Sequence, residues 1–281
     1  MTREPGPEPN LVRSENHSRS DEHDALVGTM SAELRRFTHE ERLSIGRQIS
    51  TRVLDKYGDG VLVVYICGST SKNLDRPYSD LEMIVVVRDG VTIPEKYYVH
   101  RGLVVEVDYR QESDFLKAAR ALTKTWPIEA DQYRNRIVLF EREGWTSRLD
   151  QAVAENERAD MSEALRVAAV ELTEDLCVLL NARIAGDAVQ TRIRGFAIAG
   201  EASMLVFLLN RRYVTTTSWY WKQAFECPWT PKDFEKLVRV SAGFTPASSE
   251  EVAEAANQLY GEIMEMVRSR GVSLEVDELV V

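Results

Sequence analysis

Two carboxylates one residue apart, Asp80 and Glu82, stand at the mouth of an apolar run, Met83-Ile84-Val85-Val86-Val87. Such a run reads as a buried strand. In a strand, residues i and i+2 point to one face, so the two acids aim side by side. Close like charges repel, and burial raises the cost. A divalent cation between them offsets it; hard oxygen donors suit Mg²⁺, which keeps substrate phosphates in its shell. Upstream, Gly68-Ser69 follows the β-rich "VLVVYI", and ten residues separate Ser69 from Asp80. Glycine lets backbone approach a phosphate closely, and Ser69 offers a hydroxyl and an N–H. Lys72 and Arg76, in the same loop, are placed to meet triphosphate oxygens. Downstream, Glu106 and Asp108 in "VVEVDY" repeat the i, i+2 spacing. If that strand lies beside the Asp80 strand, Glu106 completes a three-carboxylate cluster, the arrangement that serves in-line displacement at phosphorus. An isolated Asp-x-Glu before a strand is an ordinary solvated turn, and so is an isolated Gly-Ser. The combination of strand, Gly-Ser, spacer, Asp-x-Glu, apolar strand and an acid inside the next strand carries the catalytic reading.

These groups need a rigid support. "THEERLSIGRQISTRVLDKYGDG" opens with Thr38 and Glu41 in capping-box spacing, recurs in Leu43, Ile49, Val53 and Tyr57, and closes at Gly58, which predicts a helix. The β-rich segments "VLVVYI", "LEMIVVV" and "LVVEVDY" follow. "SDFLKAARALTKTW" reads as a short helix capped by Ser113. Together they predict an α/β unit with a mixed sheet. After Pro127 the pattern becomes helical. "ADMSEALRVAAVELTEDLCVLLNARIAG" carries Asp160 and Glu163 in capping-box spacing and a Leu165, Leu172, Leu176, Leu179 stripe. "RIRGFAIAGEASMLVFLLNRRY" is apolar enough to be central, and "TPKDFEKLVRVSAG" has Thr230 as cap with Pro231 after it. A last helix runs from Ser248 and Glu251 to Gly271. Four helices with short links predict a bundle, and "VSLEVDELVV" reads as a final strand or docked tail. The expected fold class is α+β: a flexible tail over 1–29, an α/β domain with a mixed sheet over 30–127, and a helical domain over 128–281.

Bulk properties narrow the function classes. The chain has 281 residues and a net charge of −10, which argues against a sequence-independent nucleic-acid binder and fits a site that receives cations. Three cysteines and four histidines are scattered without ligand spacing, which argues against zinc and a Ser-His triad and suits a reduced, cytoplasmic protein. No run reaches membrane-spanning length.

The Ser69 to Glu82 signature resembles that of the nucleotidyltransferase superfamily, which includes the polymerase-β type enzymes. "LDKYGDG", "GSTSKNLDRPYSDLEMIVVV", "LVVEVDY", the Leu-x-Glu of "ELTEDL" and the "TTTS" at Thr217 are similar to the kanamycin nucleotidyltransferase family, aminoglycoside 4'-O-nucleotidyltransferases, from about Ser31 to the C-terminus. The resemblance implies transfer of a nucleoside monophosphate from Mg²⁺-bound ATP, or another nucleoside triphosphate, to a drug hydroxyl. It implies Asp80, Glu82 and Glu106 as metal-binding and catalytic carboxylates, and Gly68, Ser69, Lys72, Ser79 and Thr217 at the nucleotide. Glu174 matches the family's general base, with Glu171 and Asp175 as rivals within a turn. The family has an arginine at position 72 and a lysine at position 178, where this chain has Lys72 and Val178. The resemblance also implies a homodimer with active sites shared between subunits and an acidic cleft that gathers polycationic drugs. The alternatives are a nucleotidyltransferase acting on a protein or RNA acceptor, and a nucleotide-binding or drug-sequestering dimer without catalysis.

Overall fold

The computed structural model describes residues 34–276. The stretch expected as a tail, 1–29, and the last residues of the expected final strand lie outside the described residues. The first helix, α1 (His39–Tyr57), has the expected capping box between Thr38 and Glu41 and ends at Gly58. Its buried line is Arg42, Gly46, Ser50 and Val53, while Leu43, Ile49 and Tyr57 pack at its flanks. Gly46 admits β1 closely, since a Cβ there would run into the Ile66 side chain.

Five strands form one mixed sheet: β1 (Val61–Ile66), β2 (Leu81–Val87), β3 (Lys96–His100), β4 (Leu103–Gln111) and β5 (Ile137–Glu141), in the order β3-β4-β2-β1-β5. Strands β2 and β4 are parallel, and the other three pairings are antiparallel. Alternate residues of β1 and β2 feed two cores. Val64, Ile66, Met83 and Val85 face α1, and Leu62, Tyr65, Ile84 and Val86 face the helices behind. Those helices are α3 (Glu112–Arg120) and α6 (Trp145–Asn156), with the short α2 (Gly68–Ser71), α4 (Trp126–Glu129) and α5 (Asp131–Arg134) as connections.

The helical layer comprises α7 (Ser162–Ile184), α8 (Ala188–Leu209), the short α9 (Tyr220–Phe225), α10 (Phe234–Ser241) and α11 (Ser249–Ser269) around one core. Helix α8 is central, as its apolar sequence predicts. A Cβ on Gly195 would collide with Val252 and the Ser241 carbonyl, so glycine sets the approach of α10 and α11. The expected box at Ser248 and Glu251 caps α11. Residues 272–276 form no strand; Val272 and Leu274 pack on the helical core. No helix among the described residues is long and apolar enough to cross a membrane.

Several expected boundaries move. The break after Pro127 falls inside the sheet layer, because β5 pairs with β1 and α6 covers the sheet. Helix α3 is not capped by Ser113: strand β4 runs to Gln111, and the Ser113 N–H is held by Asp89 at 2.9 Å. It stops at Arg120, where the buried Asn156 amide donates to the Arg120 and Ala121 carbonyls at 3.2 and 2.7 Å. Asp160 makes no box with Glu163. It accepts from Ser162 two residues on, and Glu163 is held by Arg166. Helix α10 starts after Asp233, whose φ of 55° ends the preceding turn, so Thr230 and Pro231 lie outside it.

The fully buried Arg42 fixes the loop before β2. Its guanidinium pairs with Asp75 at 3.0 Å and donates to the carbonyls of Phe37, Arg76, Pro77 and Ser79 at 2.7 to 3.0 Å. Asp75, itself 1% exposed, also meets His39 Nδ1 at 2.8 Å. Arg42→Leu removes the guanidinium that these groups share and leaves the buried Asp75 with His39 alone, so unfolding in urea should show a loss of about 3–5 kcal/mol. A loss below about 1 kcal/mol would mean that other contacts hold the loop.

Candidate active site

The site grows from the end of β1. The chain turns at Gly68, with φ 63°, a conformation glycine adopts freely. A Cβ at that position would run into the Glu82 carboxylate. Glycine therefore brings the turn and Glu82 together, and the Cys67 N–H bonds the Glu82 carbonyl at 3.0 Å. The loop then passes under Arg42 and delivers Ser79 and Asp80 to the start of β2. Parallel pairing places Glu82 opposite Glu106 in β4, as expected if the two strands were neighbours. Asp80, Glu82 and Glu106 line one cavity of about 870 Å³ together with Gly68, Ser69 and Ser79. The far wall comes from the segment after α8, including Thr217 and Trp219. Gln223 shapes that wall by accepting from the Thr215 N–H and hydroxyl at 2.9 Å and donating to the Thr216 carbonyl at 3.1 Å.

Lys72 and Glu174 are not brought to the cavity. The Lys72 ammonium pairs with Asp131 and donates to the Gly68 carbonyl at 2.5 Å, while Arg76 does line the cavity. Glu174 is exposed on α7, away from the cavity of its own chain. Of its rivals, Glu171 pairs with Lys124 and Asp175 with Arg194 at 2.7 Å. Glu174 carries no such pair among the described residues. Val178 is partly buried beside it. The sequence reading missed Asp131 and Gln223, because no motif marks them. Asp108, which shares the spacing of Glu106, is paired with Arg110 at 2.7 Å.

The side chains of Asp80, Glu82 and Glu106 make no hydrogen bond or ion pair among the described residues. Burial, then Asp80 and Glu106, push the Glu82 carboxyl up to about 7. Burial, then Glu95, Asp108 and Asp80, also raise Glu106. Cys67, beside them, is driven well above its ordinary value by burial and by Glu82. No three His, Cys, Asp or Glu side chains among the described residues already stand in a metal-holding arrangement; the three acids share a wall while like-charge repulsion opposes their closing on one point. Their chemistry, three carboxylates with no cation paired to them among the described residues, fits a divalent ion with oxygen ligands.

Residues 143–273 match the KNTase C-terminal domain family. Two curated relatives, both aminoglycoside nucleotidyltransferase (4'), from Staphylococcus aureus and a Bacillus species, are each 26% identical over 246 residues, covering 86% of this chain and 96% of the relative. A nucleotidyltransferase-like protein from Exiguobacterium sibiricum 255-15 aligns with a TM-score of 0.48 and 14% identity, over 80% of this chain and 75% of the other. The resemblance drawn from the motifs is borne out by the family match and the curated relatives, which are nucleotidyltransferases.

The raised Glu82 carboxyl gives the site a pH signature. Its folded value, about 7, exceeds the ordinary 4.5, so the folded state binds the proton more tightly than the unfolded one. That stabilisation is complete below about 4.5 and is lost as pH rises through about 7, a change of about 3 kcal/mol. Thermal melts in chelator should fall between pH 5 and 8 for the wild-type chain and much less for Glu82→Gln. Equal slopes for the two proteins would remove Glu82 as the source.

Proposed function

We propose that the chain is an aminoglycoside O-nucleotidyltransferase that moves AMP from ATP to a drug hydroxyl, the 4'-hydroxyl, with release of pyrophosphate. The observation that carries this reading is the meeting of Asp80, Glu82 and Glu106 in one cavity beside the Gly68 turn. Mg²⁺, when bound by these three carboxylates, would supply charge stabilisation at phosphorus. Gly68, Ser69, Ser79 and Thr217 then face the triphosphate. The acceptor oxygen attacks the α-phosphorus, the bond from that phosphorus to the bridging oxygen breaks, pyrophosphate leaves, and the hydroxyl proton passes to a general base.

Glu174 is the proposed base. A carboxylate suits that work once the hydroxyl pKa is lowered, and its rivals Glu171 and Asp175 are engaged in ion pairs. Since Glu174 lies outside the cavity of its own chain, the reading calls for a homodimer in which each subunit lends its Glu174 to the other's cavity. Carboxylates in and around the cavity, with the net charge of −10, would gather a polycationic drug in the cytoplasm, where ATP is available. Neither a nucleic acid nor a membrane is required.

Incubation with kanamycin or tobramycin, MgATP and the protein should release pyrophosphate and add one AMP to the drug. Asp80→Ala should lower kcat/KM at least about a hundredfold, and Glu174→Gln should lower kcat about a hundredfold or more with little change in drug KM. No adduct on any aminoglycoside bearing a 4'-hydroxyl would sink the drug reading. Transfer to a protein or RNA under the same conditions would establish the other acceptor class.

A further inference from the structure

Asp131 sits at the edge of the cavity with 11% of its side chain exposed, and both of its oxygens are engaged. One pairs with the Lys72 ammonium. The other accepts from the Asn135 amide at 2.8 Å. Lys72 also donates to the Gly68 carbonyl at 2.5 Å, and the Ser71 hydroxyl lies 2.9 Å from that carbonyl and 3.0 Å from the carbonyl of Asn135. The Asn135 amide reaches the Tyr213 hydroxyl at 3.3 Å, just beyond the end of α8. One chain of polar contacts therefore runs from the Gly68 turn, through Lys72, Asp131 and Asn135, to the helical layer.

A carboxylate at the edge of a triphosphate site repels its ligand unless its charge is matched. Asp131 has that match in Lys72. The reverse dependence follows from side-chain shape. Lysine is a point charge on a flexible stem, whereas an arginine fork is planar and fixes its own orientation. A lysine at position 72 thus needs an anion to hold it, and Asp131 is that anion.

We propose that Asp131 is a positioning residue for the nucleotide half of the site: it clamps Lys72 against the Gly68 carbonyl and so holds the Gly68 turn beside Glu82, so that Lys72 acts as a strut and not as a free phosphate-binding cation. This rests on the nucleotidyltransferase reading of the cavity. The contact chain to Tyr213 also links the strut to the segment that carries Thr217.

The test uses whichever of ATP, GTP, CTP and UTP the full-length wild-type chain turns over, with Mg²⁺. Asp131→Asn should raise the nucleotide KM about tenfold or more and leave the aminoglycoside KM within about twofold. Calorimetric binding of the same Mg-nucleotide without drug should weaken by the same factor. Lys72→Met, which removes the strut from its other end and leaves the Asp131 charge unmatched, should shift the nucleotide KM at least as far, and the double variant no further than Lys72→Met. Lys72→Arg in the Asp131→Asn background should recover most of the loss, because the guanidinium needs no clamp. Additive losses, tighter nucleotide binding in Asp131→Asn, or a drop confined to melting temperature and active fraction overturn the proposal. A wild-type chain that neither binds nor turns over any of the four nucleotides overturns the functional reading and this proposal together; an active wild-type chain with unshifted variants overturns this proposal alone.

Discussion

Three carboxylates held on neighbouring strands repel one another, and the fold has to resist that repulsion to keep them facing one cavity. The resistance comes from the apolar ladder beneath them. Strand β1 is buried along its whole length, β2 from Met83 to Val87, and both faces of the ladder are covered, by α1 on one side and by α3 and α6 on the other. Rigid, doubly covered strands place side chains more tightly than loops do. Burial, and then the neighbouring Asp80 and Glu106, push the Glu82 carboxyl up to about 7. Such a displaced carboxylate in a cavity marks a candidate functional site.

The loop between β1 and β2 is fixed by buried polar groups at both ends. Arg42 gathers the carbonyls of residues 76, 77 and 79 next to Asp80. At the other end, Lys72 and Asp131 hold the Gly68 carbonyl. Buried polar groups carry a high cost when unsatisfied, so the contacts that Arg42 and Lys72 satisfy favour one conformation. The loop between β1 and β2 is thereby pinned at both ends. Asn156 does similar work behind the sheet, bonding Trp126 at 2.7 Å while it ends α3.

The helical layer contributes a wall, and the exposed Glu174 is not part of it. That wall is the segment after α8, shaped by Gln223, so the cavity is closed by residues far apart in the chain. The match of residues 143–273 to the KNTase C-terminal domain family covers this layer, whereas the carboxylates belong to the sheet. The carboxylates and the facing wall of the cavity thus come from different parts of the chain, and the polar link from Asp131 through Asn135 to Tyr213 connects them.

Much of this was legible in the sequence. Strands β1 and β2 were readable to the residue because continuous apolar runs bounded by turn residues have few other uses, and α1 and α11 because their capping boxes are local. Asp80, Glu82 and Glu106 were readable because a strand's period of two fixes the face of each acid once the strand is known. Strand β3, with every residue exposed, carried no such signal, and β5 only the four-residue apolar run Ile137 to Phe140; the caps expected at Ser113, Asp160 and Thr230 lost to contacts with Asp89, Ser162 and the turn at Asp233. What the sequence by itself determined is therefore local: periodicity, capping and the order of chemical groups. Only the tertiary structure decided that Glu82 stands opposite Glu106, that Lys72 is spent on Asp131 across 59 residues, that Arg42 is buried, and that Glu174 lies outside the lining of its own cavity. The physical reason is that these pairings depend on which strands become neighbours and on where a charge finds its partner, and neither is encoded within the span of a helical turn or a strand.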